Sequence, residues 1–257
     1  MIAVGSPAVT NLVALTRALA DDVDRLAFSK PAAFVYNPLA YARQPLERYL
    51  TRWGAGEREI VLVGMNPGPF GMMQTGVPFG EVSLVRDWLG VEGRVGRPPR
   101  EHPKRPVEGF ACRRSEVSGA RLWGFARDRF GTPEAFFARF FVWNWCPLGF
   151  LAESGANVTP DKLHRVERRA LESVCDLALG EVVARLRPRL VFGVGQVALD
   201  AVRRATADGV ATALLPHPSP ASPAANRGWA ALAAGAFAAA GVEIPQQSLE
   251  LAVFERA

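Results

Sequence analysis

Two loops carry most of the side chains that could do chemistry. The first, GMNPGPFGMMQTGVPFGEV at 64–82, presents the amides of Asn66 and Gln74, the thioethers of Met65 and Met72, the rings of Phe70 and Phe79, and a single charge, Glu81. Glycines such as Gly68 and Gly71 let backbone N–H groups come close to a ligand, while Pro67, Pro69 and Pro78 stiffen the loop. Without a Lys, and without a GxxxxGKS or GxGxxG pattern, it suits a flat, mostly apolar, uncharged ligand better than a triphosphate. The second loop, HPSPASPAANRGW at 217–229, brings His217, and a third candidate, Asn144, stands just before Cys146-Pro147. Each group also has an ordinary reading: Asn66 as a loop cap, His217 as a packed or solvated ring, Phe79 as core, Asn144 as a turn residue.

These groups need strands to hold them. Glu59-Ile60-Val61-Leu62-Val63 runs straight into the first loop, and a short, continuous apolar run bounded by Gly and Pro reads as a strand buried on both faces. The loop therefore leaves the carboxyl end of a strand, where open α/β sheets keep their ligands. Phe140–Trp143 reads as a second strand with Asn144 at its carboxyl end, Arg189–Gly195 as a third, and Ala211–Leu215 as a fourth that delivers the second loop to the same cleft.

Helices fall between them. Residues 9–28 place Leu12, Leu15, Leu19, Val23 and Leu26 on one face, and Gln196–Ala207 follows the third strand. Thr159-Pro160 opens a long helix with Leu163, Val166, Ala170, Val174 and Leu177 on its apolar face. Val82–Gly90 is expected to be a short helix whose first N–H groups face the cleft, and another helix starts at Ser115 or Ser118. From Pro31 the chain reads as a surface connection packed by aromatics, ending in a short helix near Leu46–Trp53. Alternation of strand and helix argues for a parallel sheet covered on both faces.

Composition narrows the partners. The 257 residues lean to one domain, and 49% hydrophobic content allows a sizeable core. Lys plus Arg outnumber Asp plus Glu 30 to 25, a net charge of +5 with pI near 9.5, which points to a polyanion. Arg94, Arg97, Arg100, Lys104 and Arg105 crowd the aperiodic segment 91–107, which is either a phosphate-holding loop or a solvated insertion. Three cysteines without CxxC spacing support neither a disulfide framework, a zinc ribbon nor a four-cysteine cluster. The start MIAVGSPAVTNL shows no targeting pattern, and the most apolar window, 229–240, is too short to span a bilayer, so a cytoplasmic protein without a membrane partner is expected.

The first loop resembles one signature of the uracil-DNA glycosylase superfamily and HPSPASPAANRGW resembles the other. In detail the chain is similar to the single-strand-selective monofunctional branch, whose members also carry stretches like HPKRPV, SEVSGARLWG and NWCPL, here at 102, 115 and 144. The likeness runs from about Leu26 to Ala234. It implies one three-layer α/β/α domain over residues 1–257 around a four-stranded parallel sheet, the number of strands counted above without it. The implied activity is excision of uracil, and of 5-hydroxymethyluracil, from DNA by hydrolysis of the N-glycosidic bond. An enzyme choosing xanthine or hypoxanthine, or a damaged-DNA-binding module without turnover, is the alternative. No metal or organic cofactor is implied, and the protein is expected to act as a monomer on single-stranded and possibly duplex DNA.

The resemblance also distributes roles. His217 would donate a hydrogen bond to uracil O2, and Asn66, standing where some branches have Asp, would position water rather than act as a base. Phe79 would stack on the extruded base and Asn144 read its Watson–Crick edge, with Met65, Gly68 and Met72 around C5 and Phe70 beside them. Pro218, Ser219, Pro220, Ala221, Asn226 and Arg227 match the wedge loop that enters DNA. Ala221 departs from the Arg often found there; a methyl group fills the vacated base space poorly, so duplex activity is expected to suffer most. Neither loop contains the Lys that a lyase would need.

Overall fold

Four parallel strands form the middle of the protein in a computed structural model that describes residues 11–206 and 209–246. In chain order the strands are β1 (Phe34–Tyr36), β2 (Ile60–Gly64), β3 (Phe140–Asn144), β4 (Gly149–Leu151), β5 (Asn157–Val158), β6 (Leu190–Val194) and β7 (Ala211–Leu215). The parallel sheet has the order β3-β2-β6-β7, with Gly64 opposite Asn144, Val63 opposite Gly193, and Val194 opposite Leu215. All carboxyl ends thus lie on one edge. Every residue of β2, β3 and β6 is buried, which is why those runs are apolar without alternation, while the edge strand β7 is largely accessible.

The helices are α1 (Leu12–Asp24), α2 (Pro38–Tyr41), α3 (Arg43–Trp53), α4 (Met72–Thr75), α5 (Val117–Phe130), α6 (Pro133–Phe137), α7 (Arg165–Leu186), α8 (Gln196–Ala205), α9 (Pro223–Asn226) and α10 (Trp229–Ala239). Helix α7 packs between α1 and α8, and α5 packs against α6 and α10. Phe237 of α10 sits among Phe125 of α5, Phe140 of β3 and Phe192 of β6, at 6.0, 5.7 and 5.0 Å between ring centres. At the amino edge of the sheet, the Glu59 carboxylate takes Arg139 and Arg189, each at 2.6 Å, so one acid ties together the starts of β2, β3 and β6. Among the described residues no helix is long and apolar enough to cross a membrane.

Several elements differ from the sequence expectation. The connection from Pro31 contains β1, which pairs antiparallel with β4, as β4 does with β5, in a second, three-stranded sheet. Three residues between prolines and aromatics leave too short a pattern to read. In the long helix the apolar face is Leu171, Cys175, Ala178, Leu179, Val182 and Leu186, whereas Val166 and Leu177 are 70% and 68% exposed. Pro160–Lys162 forms a separate turn and Leu163 is extended, so the helix starts later and its face rotates. Helix α5 starts at Val117 with Glu116 as its cap, in place of either serine. Residues 84–88 form a π-helical turn whose Leu84 N–H is bonded to Glu81, so that N–H is not open to the cleft. Residues 9 and 10 and Ala207, the outer ends of two expected helices, lie outside the described residues.

Candidate active site

The first loop leaves β2 through Gly64, where a side chain has no room. A Cβ there would overlap the Asn144 amide oxygen and lie 2.6 Å from the Phe79 ring. Glycine is therefore what lets Asn144 of β3 and Phe79 meet over the end of β2. Asn144 is 5% exposed, and its Nδ2 donates to the Met72 sulfur at 3.2 Å, which holds the amide in one orientation. Phe79 is buried at φ 53°, a left-handed conformation that costs a non-glycine residue roughly 1–2 kcal/mol. Two contacts hold that region: Glu81 N–H donates to the Phe79 carbonyl at 2.7 Å and Trp123 Nε1 to the Pro78 carbonyl at 3.2 Å.

Asn66 follows one residue after Met65, whose carbonyl accepts from Cys146 N–H at 2.9 Å. Among the described residues its amide nitrogen reaches only the Pro67 and Leu148 carbonyls, both at 3.5 Å, the long limit for such bonds. The amide stays half-buried with capacity to spare, unlike a loop cap. Gln74, by contrast, is saturated. Its nitrogen donates to Pro69 and Pro106 and its oxygen accepts from Glu108 and Gly109 N–H, stitching the first loop to residues 106–109.

His217 lies just beyond β7, its ring 6.4 Å from that of Phe79. Its Nδ1 accepts the Ser219 backbone N–H at 3.0 Å, so in the neutral ring the proton is on Nε2. Burial lowers its pKa below the ordinary 6.5 and favours that neutral form. His102 shows the same turn chemistry, with Nδ1 accepting Lys104 N–H at 3.0 Å, but its Nε2 is engaged by the Glu153 carbonyl at 3.0 Å. Among the described residues the Nε2–H of His217 has no such acceptor. An His-Pro turn thus makes one structural ring and one donor that remains available to a ligand.

Of the remaining second-loop candidates, Pro220, Ala221 and Arg227 are exposed, Ser219 is half-buried and Pro218 is buried. The Asn226 side chain is exposed yet engaged, accepting from Arg121 at 2.8 Å and donating to the Pro220 carbonyl at 2.8 Å. Met65, Gly68 and Phe70 are half-buried and Met72 is buried. Phe70 carries two guanidinium groups over its ring, Arg114 at 4.0 Å and Arg105 at 5.3 Å.

Helix α5 supplies groups that the sequence reading left unassigned. The Glu116 carboxylate caps it, accepting from Gly119 N–H at 2.6 Å and Ser118 N–H at 3.3 Å, and lies against Gly68 and Gly71 of the first loop. Burial raises its pKa. Arg121 reaches the second loop. The first-loop glycines behind Glu116 and the partners of Arg121 are far away in sequence, so no local pattern marks these contacts; the stretch SEVSGARLWG was the one available signal. Among the described residues no group of three or more His, Cys, Asp or Glu is placed to hold a metal ion.

A family model of the uracil DNA glycosylase superfamily matches residues 51–234. The single-strand selective monofunctional uracil DNA glycosylase of Bos taurus is 55% identical over 218 residues, covering 84% of this chain and 80% of the bovine one. That of Rattus norvegicus is 54% identical over 211 residues, covering 81% and 76%. Among solved structures, the crystal structure of Pedobacter heparinus SMUG2 superposes with a TM-score of 0.59 at 18% identity, covering 87% of this chain and 98% of that one, a likeness of fold.

Proposed function

The chain belongs to the uracil DNA glycosylase superfamily, and from that premise we propose how its two loops excise uracil from DNA. The protein is a DNA glycosylase, a hydrolase of N-glycosyl bonds acting in base excision repair. When the C1′–N1 bond breaks, its electron pair leaves with the base, giving a uracil anion with charge on O2 and an oxocarbenium-like sugar. Water then bonds to C1′, and its proton passes to the departing base or to solvent. Such a reaction gains most from a donor aimed at the developing charge.

In this reading the donor is His217, through Nε2–H to O2. The observation that carries it is the Ser219 N–H to Nδ1 bond, which leaves that proton on the side of the ring that has no acceptor among the described residues. The Asn66 amide oxygen accepts a hydrogen bond from the attacking water and orients it; an amide does not take up the proton. Phe79 stacks on the extruded base. Asn144, its nitrogen end fixed by Met72, meets uracil's O4 acceptor and N3–H donor. Met65, Gly68 and Met72, with Phe70 at the rim, border C5 and leave the enzyme able to take 5-hydroxymethyluracil. Pro220, Ala221 and Arg227 meet the strand, on a turn built by Pro218, Ser219 and Asn226. With only Ala221 at the tip, single strands are favoured over duplex. The protein works as a one-domain monomer in the cytoplasm, where its three buried free thiols stay reduced.

The test is base release from matched single-stranded and duplex oligonucleotides carrying uracil, 5-hydroxymethyluracil, xanthine or hypoxanthine. Asn66→Ala and His217→Ala are each expected to lower single-turnover uracil release by about 10²–10³-fold while DNA affinity changes far less. Ala221→Arg raises the duplex rate relative to the single-strand rate. Equal losses of rate and affinity in the first two variants would mean that the loops bind without catalysing.

A further inference from the structure

Arg121, on α5, faces the second loop with its guanidinium. Nη1 donates to the Pro218 carbonyl at 2.9 Å and the Ser219 carbonyl at 3.3 Å, and Nη2 to the Asn226 amide oxygen at 2.8 Å. Asn226 in turn donates to the Pro220 carbonyl at 2.8 Å, and the Ser219 hydroxyl accepts from Ala221 N–H at 3.1 Å. Among the described residues Arg121 makes no ion pair, although acids elsewhere pair with many of the arginines. An arginine beside a DNA-binding loop would ordinarily be assigned to a phosphate. Here two of its three nitrogens are bonded to protein acceptors, and three acceptors converging on one planar fork match a guanidinium and not an ammonium.

Resting on the reading above, we propose that Arg121 is a positioning residue for His217. Pro218 and Ser219 are the two residues after His217, and Arg121 fixes both carbonyls. That fixes the Ser219 peptide and so the direction of its N–H, which bonds His217 Nδ1. The chain of contacts runs from guanidinium to carbonyl to N–H to imidazole, and its last link sets both the ring's orientation and the nitrogen that carries the proton. Without Arg121 the turn is free to rotate and Nε2–H is no longer held toward the leaving base.

The experiment uses the full chain with Arg121→Met, Arg121→Lys, Arg121→Gln and the double variant Arg121→Met with His217→Ala, each checked for cooperative unfolding. Single-turnover uracil release is read beside affinity for a single-stranded oligonucleotide over a range of salt, and the His217 ring is read by its ¹⁵N shifts. Arg121→Met and Arg121→Gln are expected to lower release roughly 10- to 100-fold, as misplacement of a catalytic group by about 1 Å does. Affinity and its salt slope stay unchanged, Arg121→Lys fails to restore the rate, and Arg121→Met adds nothing to His217→Ala. The ¹⁵N shifts change from one tautomer to a mixture. Three results would overturn the assignment: a salt slope smaller by about 0.7, the signature of one lost phosphate contact on a single strand; full rescue by Lys; or an unchanged tautomer in Arg121→Met. Because the tautomer is read without turnover, a wild-type chain that releases no uracil would sink the functional reading and leave the Arg121 test standing on the ring spectrum.

Discussion

At the scale of single residues, a neutral imidazole holding its proton on Nε2 is a different catalyst from a charged one. Burial lowers the His217 pKa, and protonating Nδ1 would also set it against the Ser219 N–H, so the neutral donor persists below the ordinary 6.5. Uracil release is therefore expected to hold as pH falls through 6.5 and to decline only below it, in step with the His217 titration followed by NMR over about pH 5 to 8. A rate that climbs as pH drops through 6.5 would mean an imidazolium donor and would defeat this reading. The linkage to stability has the same sign: the unfolded ring binds the proton more readily, so the contribution of His217 is complete above 6.5 and is lost as pH falls toward its folded value. The placement of the candidates was legible, with Asn66, Phe79 and His217 in the two loops and Asn144 at the end of β3, since all four lie along the carboxyl edge of the sheet. The His-Pro dipeptide alone does not separate His217 from His102, because the two turns hold Nδ1 alike and what faces Nε2 is set elsewhere: Glu153, which engages His102, is 51 residues from it.

At the scale of elements, α5 is the frame on which both loops are mounted. Glu116 backs Gly68 and Gly71, Trp123 holds Pro78, Arg121 holds the second loop, and Gly119 lies directly under the Phe79 backbone. A Cβ at Gly119 would overlap the Phe79 carbonyl oxygen and stand 2.9 Å from its carbon, and backbone cannot rotate away as a side chain can. Gly124, on the same helix, has no atom of the described residues within 4 Å of the corresponding position. Gly119→Ala is thus expected to destabilise by about 1–3 kcal/mol through overpacking and to weaken uracil capture by displacing Phe79. Gly124→Ala should stabilise by about 0.5–1 kcal/mol through helix propensity, with activity intact. Urea unfolding and single-turnover titrations of the two variants check this, and matching behaviour would remove α5 from its role. The sequence announced that a helix begins here and misjudged how, because Glu116 is a less usual cap than Ser115 or Ser118 and its choice depends on the loop packed against it. Helix α7 teaches the same lesson: spacing found a helix, but which face is buried depended on the turn at Pro160–Lys162 and the extended Leu163 after it, which apolar periodicity does not register.

At the scale of the whole molecule, a parallel sheet has two unlike edges, and this chain uses them for different ends. All the catalytic candidates lie at the carboxyl edge, while the amino edge is tied by Glu59, whose carboxylate is held at about 2 by the Arg139 and Arg189 guanidinium groups against an ordinary 4.5. The four strands of the parallel sheet could be anticipated because they are uninterrupted apolar runs, though not their order; the three-stranded sheet could not, since its members are two or three residues long. The Glu59 cluster escaped notice because its three members are 50 or more residues apart in sequence and meet only when β2 lies between β3 and β6. Its folded pKa is depressed, so the stabilisation is complete above 4.5 and is lost as pH falls through about 2. The ions are partly exposed, with side-chain accessibilities of 30% for Glu59, 34% for Arg139 and 51% for Arg189, so solvent and salt screen them. Glu59→Gln is accordingly expected to cost roughly 1–2 kcal/mol at neutral pH, as a three-member network in place of a lone surface pair. That deficit should shrink in high salt and disappear only as pH falls below about 2, where Glu59 is itself protonated and both chains carry a neutral group. Uracil release per folded molecule should not change, because the clamp lies a full strand length from Asn66 and His217. Urea titrations at several pH values, beside single-turnover rates at neutral pH, measure both halves. A variant as stable as the parent would remove the clamp from its role, and one that is slower per folded molecule would show that the two edges are not separable in this way.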